Sequence, residues 1–171
     1  MEETFTNLYE TCGWGSNNMK EYSGSSGSGS TIWFNENTYV PFVRTFIINN
    51  NVKNIVDLGC GDFVCGHLLY KNLDVNYTGY DAYKKVVEYN TKKYINSKFT
   101  FKHLDFCNKK EEIIAGDLCI IKDVLQHWSL KNIYKLLDFL VYTKRFKYIL
   151  ITNCCNQLVD NTDIPDGSWR E

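Results

Sequence analysis

No stretch of this sequence approaches the roughly 20 consecutive apolar residues that a membrane span needs, so it offers no candidate transmembrane helix. A block of lysine and arginine is missing too. Charged residues are 23% of the chain, they are scattered, and the formal net charge is −1. Without a basic footprint, nucleic acid is disfavoured as a partner. Paired C-x-x-C spacing is also absent. The seven cysteines stand at 12, 60, 65, 107, 119, 154 and 155. An odd, unpaired set argues against a disulfide framework or a zinc site and for reduced thiols. Cys119 and Cys154 fall in apolar, strand-like runs where a thiol serves as a small hydrophobe. The start, Met1-Glu2-Glu3, is acidic and lacks the basic-then-apolar pattern of a secretory signal. The expected location is the cytoplasm.

What is present suffices for one domain. Of the 171 residues, 44% are hydrophobic, an ordinary globular proportion. Residues 1–34 differ in character from the rest. Gly13-Trp14-Gly15-Ser16 and the run Ser23 to Ser30 are dense in glycine and serine, as linkers and mobile loops are. The aromatics Trp14, Trp33, Phe34 and Tyr39 favour instead a lid folded over a site, since a solvated linker seldom carries so many. Residues 35–171 read as the domain proper.

From about Asn35 to Asn49, apolar residues recur at helical spacing, with Pro41 in the first turns where proline is tolerated. A strand–helix alternation follows. Strands are expected at Asn54–Leu58, Val75–Tyr80, Phe99–Leu104, Asp117–Ile121 and Tyr148–Thr152. Helices are expected over 65–73 and over Tyr83–Ile95. A further helix follows Ser129, its plausible N-cap, through the stripe Ile133, Leu136, Leu137, Leu140 and Val141. Alternation of this kind predicts an α/β fold with a parallel sheet and ligands at the carboxyl ends of its strands.

Those ends carry the chemistry. The first strand closes in Asp57-Leu58-Gly59-Cys60-Gly61-Asp62, where two glycines allow a tight turn and close approach of backbone N–H groups to a ligand. The second closes at Asp81, 24 residues after Asp57, where a carboxylate can accept ribose hydroxyls. The third closes in Leu104-Asp105-Phe106, an acceptor beside an apolar wall, suited to an adenine. Any one aspartate could be a turn residue; three at successive strand ends argue for a nucleotide-like ligand. A dinucleotide fingerprint would need glycine at 64, where Val64 stands. NAD and FAD are disfavoured on that ground.

From about Val52 to Asn153 the sequence resembles class I S-adenosylmethionine-dependent methyltransferases. The resemblance lies in Val56–Asp62, Tyr77–Asp81, Leu104–Phe106 and Ile121–Trp128, in that order and spacing. It implies a Rossmann-like three-layer sandwich with a mainly parallel sheet and S-adenosyl-L-methionine as cofactor. Gly59 and Gly61 would approach the methionyl part, with Asp57, Cys60 and Lys122 in the same cofactor site. Asp81 would hold the ribose, and Asp105 with Phe106 the adenine. Such folds end in an antiparallel strand hairpin, and about 20 residues follow Thr152. That hairpin is therefore expected to be missing or truncated.

The segment after the fourth strand would face the transferred methyl. His127 is the expected general base, with Asp123 orienting it or the substrate. Trp128, Asn153 and Arg170 are expected at the acceptor. Asp123 and Asn153 could also offer oxygen ligands to Mg²⁺, but Thr152 is a poor third ligand and no metal is expected. His67 and His103 read as structural. The implied reaction is methylation of a small polar acceptor, a hydroxyl, with a sugar or glycan favoured. One alternative is a nucleic-acid methyltransferase. It is weakened because the two prolines, Pro41 and Pro165, supply no (Asp/Asn)-Pro-Pro-(Tyr/Phe) motif. The other is a non-catalytic cofactor-binding partner subunit. The oligomeric state is not legible.

Overall fold

The computed structural model describes residues 1–95, 97–153 and 162–170. Three helices come first: α1 (Glu2–Glu10), α2 (Ile32–Asn35) and α3 (Tyr39–Asn49). Then β1 (Asn54–Leu58), α4 (Val64–Tyr70), β2 (Asn76–Asp81), α5 (Lys84–Lys93) and β3 (Phe99–His103) alternate. They are followed by β4 (Gly116–Lys122), α6 (Leu130–Thr143) and β5 (Phe146–Thr152). The five strands form one sheet in the order β3-β2-β1-β4-β5, and every pairing is parallel. The chain winds outward from β1 to β3 and then returns to β4 on β1's other side. The switch point thus lies between β1 and β4, where the carboxyl ends diverge to leave a crevice.

Alternation within the strands divides the core into two layers. Leu118 and Ile120 of β4 join Ile55, Tyr77, Val43, Ile47, Leu69 and Val86 on one face. Cys119 and Ile121, the intervening residues, join Val56, Leu58, Tyr80, Leu136 and Leu140 on the other. A strand buried on both faces must be apolar at every position, which is why β4 reads as a continuous run. Leu136 and Leu140 are each 1% exposed, so the α6 stripe buries two leucines worth about 1.5–3 kcal/mol apiece.

Ser129 occupies the N-cap position of α6, but its side chain makes no capping bond. Asp166 accepts the Ser129 N–H at 2.7 Å and Asp163 accepts the Leu130 N–H at 2.7 Å. The helix start is therefore capped from the chain's far end. Among the described residues no antiparallel strand follows β5, whose outer edge has no strand beside it. Cysteines 12, 60, 65, 107 and 119 are free thiols; Cys154 and Cys155 lie outside the described residues. No helix among the described residues is long and apolar enough to cross a membrane.

The leading segment is packed, not a solvated linker. Tyr9 and Tyr22 are buried, and Tyr9 stacks on Tyr83 with ring centroids 4.4 Å apart at 11°. Glu10 accepts the Tyr83 hydroxyl at 2.8 Å and pairs with Lys85 at 2.7 Å. These contacts lay α1 and the Gly/Ser loop across the carboxyl edge of the sheet.

Candidate functional site

A cavity of about 850 Å³ opens at that edge. Its floor is the β1–α4 turn. Gly59 adopts φ +89° with Val124 packed where a Cβ would go, and Gly61 adopts φ +51° against Ser26. Both positions require glycine by conformation and by space. The Gly59 and Cys60 N–H groups donate to the Tyr80 carbonyl at 2.8 and 3.0 Å, which ties the turn to β2. Asn90 Nδ2 donates to the Gly61 carbonyl at 2.8 Å.

Each strand-end aspartate reaches the cavity wall, and each already has protein partners. Asp57 accepts the Tyr77 hydroxyl at 2.8 Å. Burial pushes its carboxyl up to about 7, against the lowering effect of that bond. Asp81 accepts N–H groups from Gly61 and Tyr83, both at 2.9 Å. Burial raises its carboxyl, and the two N–H bonds oppose the rise. Asp105 accepts the Glu2 N–H at 3.0 Å and Asn108 Nδ2 at 2.8 Å. Burial alone would raise it, but the bonds from Asn108 and Glu2 outweigh that and hold it below the usual carboxylate value. A carboxylate oxygen has two lone-pair sites, so Asp57 and Asp81 keep room for a further donor. On Asp105, Oδ2 is filled by Glu2 and Asn108, with the Met1 ammonium 3.4 Å away, and only Oδ1, which takes the Asn108 N–H at 3.3 Å, keeps a site.

At the end of β4, Lys122 Nζ pairs with the Asp123 carboxylate, donates to the Gly29 carbonyl at 2.8 Å and lies 5.3 Å from the Tyr39 ring centre. Asp123 thus pairs with Lys122, and its charge also acts on His127, favouring the protonated ring. His127 is 6% exposed and lines the cavity. Its Nδ1 lies 3.0 Å from the Ser168 carbonyl. A carbonyl only accepts, so Nδ1 carries the hydrogen and the neutral ring leaves Nε2 as its acceptor. Burial lowers the His127 pKa, with the Ser168 bond opposing. Rings from three segments surround it: Trp14 at 4.8 Å, Trp169 at 5.0 Å and Phe5 at 6.5 Å.

The residues expected at the acceptor separate. Asn153 lines the cavity at the end of β5. Trp128 lies beside Phe106, stacked at 5.5 Å and 27°. Arg170 is not on the wall; its Nε donates to the Thr162 carbonyl at 3.2 Å, and its neighbour Trp169 takes the wall position. Among the described residues no group of three or more His, Cys, Asp or Glu side chains could hold a metal ion. His67 packs on Tyr94 at 5.1 Å, and His103 Nε2 lies 3.0 Å from the Ala82 carbonyl, both away from the wall.

Sequence reasoning missed Tyr9, Ser26 and Asn35, all on the wall. Ser26 Oγ accepts the Asp62 N–H at 2.8 Å and bonds the Tyr9 hydroxyl at 2.8 Å. Four buried polar atoms on wall residues have no partner among the described residues: Asn35 Oδ1, the Tyr70 hydroxyl, Trp128 Nε1 and Thr152 Oγ1. Such atoms cost about 1–3 kcal/mol each unless a ligand or water satisfies them.

No protein-family model matches the sequence, and no curated protein matches it. Solved structures do. The methyltransferase domain of bacterial CtHen1 superposes with a TM-score of 0.58 at 18% identity, over 66% of this chain and 63% of that one. A second structure of that domain gives 0.57 at 17% identity, over 66% and 62%. An O-methyltransferase family protein from Burkholderia thailandensis gives 0.50 at 11% identity, over 62% and 33%. The chain thus spans a little under two thirds of the CtHen1 structure. At these identities the likeness establishes the fold alone, a Rossmann-like α/β fold shared with those structures.

Proposed function

We propose that this chain is an S-adenosyl-L-methionine-dependent methyltransferase. The observation that carries the reading is convergence on one cavity. The glycine turn after β1, Asp81 at the end of β2, Asp105 after β3, Phe106 and His127 all line the same space of about 850 Å³. The unpartnered atoms test the fit. Trp128 Nε1, on a ring stacked beside Phe106, is a donor suited to an adenine ring nitrogen. Asp105 supplies the complementary acceptor for the adenine amino group, and Asp81, on the same wall, supplies a carboxylate for ribose hydroxyls. The residues present fit the cofactor.

When bound, S-adenosyl-L-methionine supplies an electrophilic methyl group. The chain's own residues supply position and a proton acceptor. The cavity aligns the acceptor, and the neutral His127 Nε2 takes the hydroxyl proton as the oxygen becomes nucleophilic. Ser168 holds the tautomer that makes this possible. The Trp14, Phe5 and Trp169 rings exclude water around the base. A small-molecule or glycan hydroxyl is the acceptor this arrangement suits. Residues 1–34 act as a lid, since Tyr9 and Ser26 close over the glycine turn and Trp14 packs on His127.

Calorimetry tests the reading. S-adenosylmethionine or its demethylated product should bind and NAD should not. Asp81→Ala should weaken binding by about 1.5–3 kcal/mol, the cost of a hydrogen bond to a charged group. Binding of NAD with no response to S-adenosylmethionine would end it.

A further inference from the structure

We infer that Asn35 is a cofactor-binding residue that receives the α-ammonium of the methionyl group, a role outside the four strand-end motifs. The inference rests on the methyltransferase reading. Asn35 is the last residue of α2 and is 1% exposed. Its Nδ2 donates to the Gly29 and Thr31 carbonyls, each at 2.7 Å. Only nitrogen can donate to two carbonyls, so the amide orientation is fixed by chemistry and Oδ1 is the free atom. That oxygen is buried, unpartnered among the described residues, and belongs to a residue lining the cavity.

Its place in the cavity identifies its ligand group. The Gly29 carbonyl that Asn35 braces also accepts Lys122 Nζ, and Gly29 packs against the Asp123 carboxylate. Ser26 of the same loop holds the Asp62 N–H. Asn35 therefore sits at the Gly59–Asp62 and Lys122 end, while Asp105, Phe106 and Trp128 form the other end. With adenine at the latter, the amino-acid portion falls at the former. That portion carries a carboxylate, which only accepts hydrogen bonds, and an ammonium, which only donates. Asn35 Oδ1 only accepts, so it matches the ammonium. Lys122 is the cation left to face the carboxylate.

The experiment compares two ligands by calorimetry: S-adenosylhomocysteine and its desamino analogue, with hydrogen in place of the ammonium. The wild-type chain should prefer the first by about 10–100-fold, as a charge-assisted bond predicts. Asn35→Ala should shrink that preference to within about 3-fold while leaving desamino binding nearly unchanged. The comparison in the wild-type chain needs no variant, so a preference there of under about 3-fold overturns the assignment even if Asn35→Ala folds poorly. Equal loss for both ligands in the alanine variant would make Asn35 a brace for the loop and overturn the assignment. So would an undiminished preference in that variant. A wild-type chain that binds neither ligand would sink the methyltransferase reading itself, and the assignment with it.

Discussion

His127 and Ser168 meet across 41 residues of sequence, and their single bond decides which ring nitrogen can act as a base. A histidine after the fourth strand was legible as a candidate because strand ends in parallel sheets collect chemistry. Its orienting partner was not, because a backbone carbonyl carries no residue-type signal. Asn35 was invisible for a similar reason: its free oxygen exists only because two carbonyls take the nitrogen. If His127 is the base, His127→Ala should lower the methyl-transfer rate about 10²–10⁴-fold and leave cofactor affinity nearly unchanged. The base must be neutral, and burial holds its pKa below the ordinary value near 6.5. The rate should therefore fall as pH drops through a value below 6.5 and stay level just above it. A pH–rate profile of kcat/KM reads this directly. An acid limb unchanged in His127→Ala would assign the proton to another group.

Strands were located to within about two residues because β4, buried on both faces, leaves an apolar run, β3 alternates, and turns bound each. Helix ends were less legible. The helix expected over 65–73 stops at Tyr70, where the chain turns through Asn72 at φ +64°. No periodic pattern reports such a turn. The short α1 was obscured by the glycine and serine that follow it, although Phe5 and Tyr9 stand four residues apart on one face. The start of α6 shows the same limit on a larger scale. Ser129 reads as its cap, yet Asp166 holds both the Ser129 N–H and Asn132 Nδ2 at 2.7 Å. Asp166→Ala should cost about 0.5–2 kcal/mol in urea unfolding, the usual value of a helix cap. Because the same segment bonds His127, at its carbonyl through Gly167 N–H and at Nδ1 through Ser168, turnover should fall as well. Ser129→Ala should do neither. The reverse pattern would restore the local cap and detach the C-terminal segment from the site.

Across the whole molecule, the lead and the sheet share one set of polar partners. Glu2 N–H is on Asp105, Ser26 is on the Asp62 N–H, and Tyr9 is stacked on Tyr83. Gly/Ser density at 23–30 is consistent with either a linker or a lid, and only the tertiary placement separates them. That placement gives the lid reading a thermodynamic signature. A ligand at 100 times its Kd stabilises the form that binds it by about 2.7 kcal/mol relative to forms that do not. If the closed lead is the binding form, every opening of residues 2–30 must first release the ligand. Amide exchange there should then slow by about 100-fold with saturating S-adenosylhomocysteine. Tyr83→Ala removes both the Tyr9 stack and the Glu10 bond, so ligand should leave this variant about ten times faster. Core amides in β1 and β4 should stay slow in both states, because they open only when the domain unfolds. Should exchange at residues 2–5 speed up instead, the first turn of α1 competes with the adenine for Asp105. The lead would then be a gate that the cofactor displaces, since one N–H and one amino group cannot both have the same lone pair.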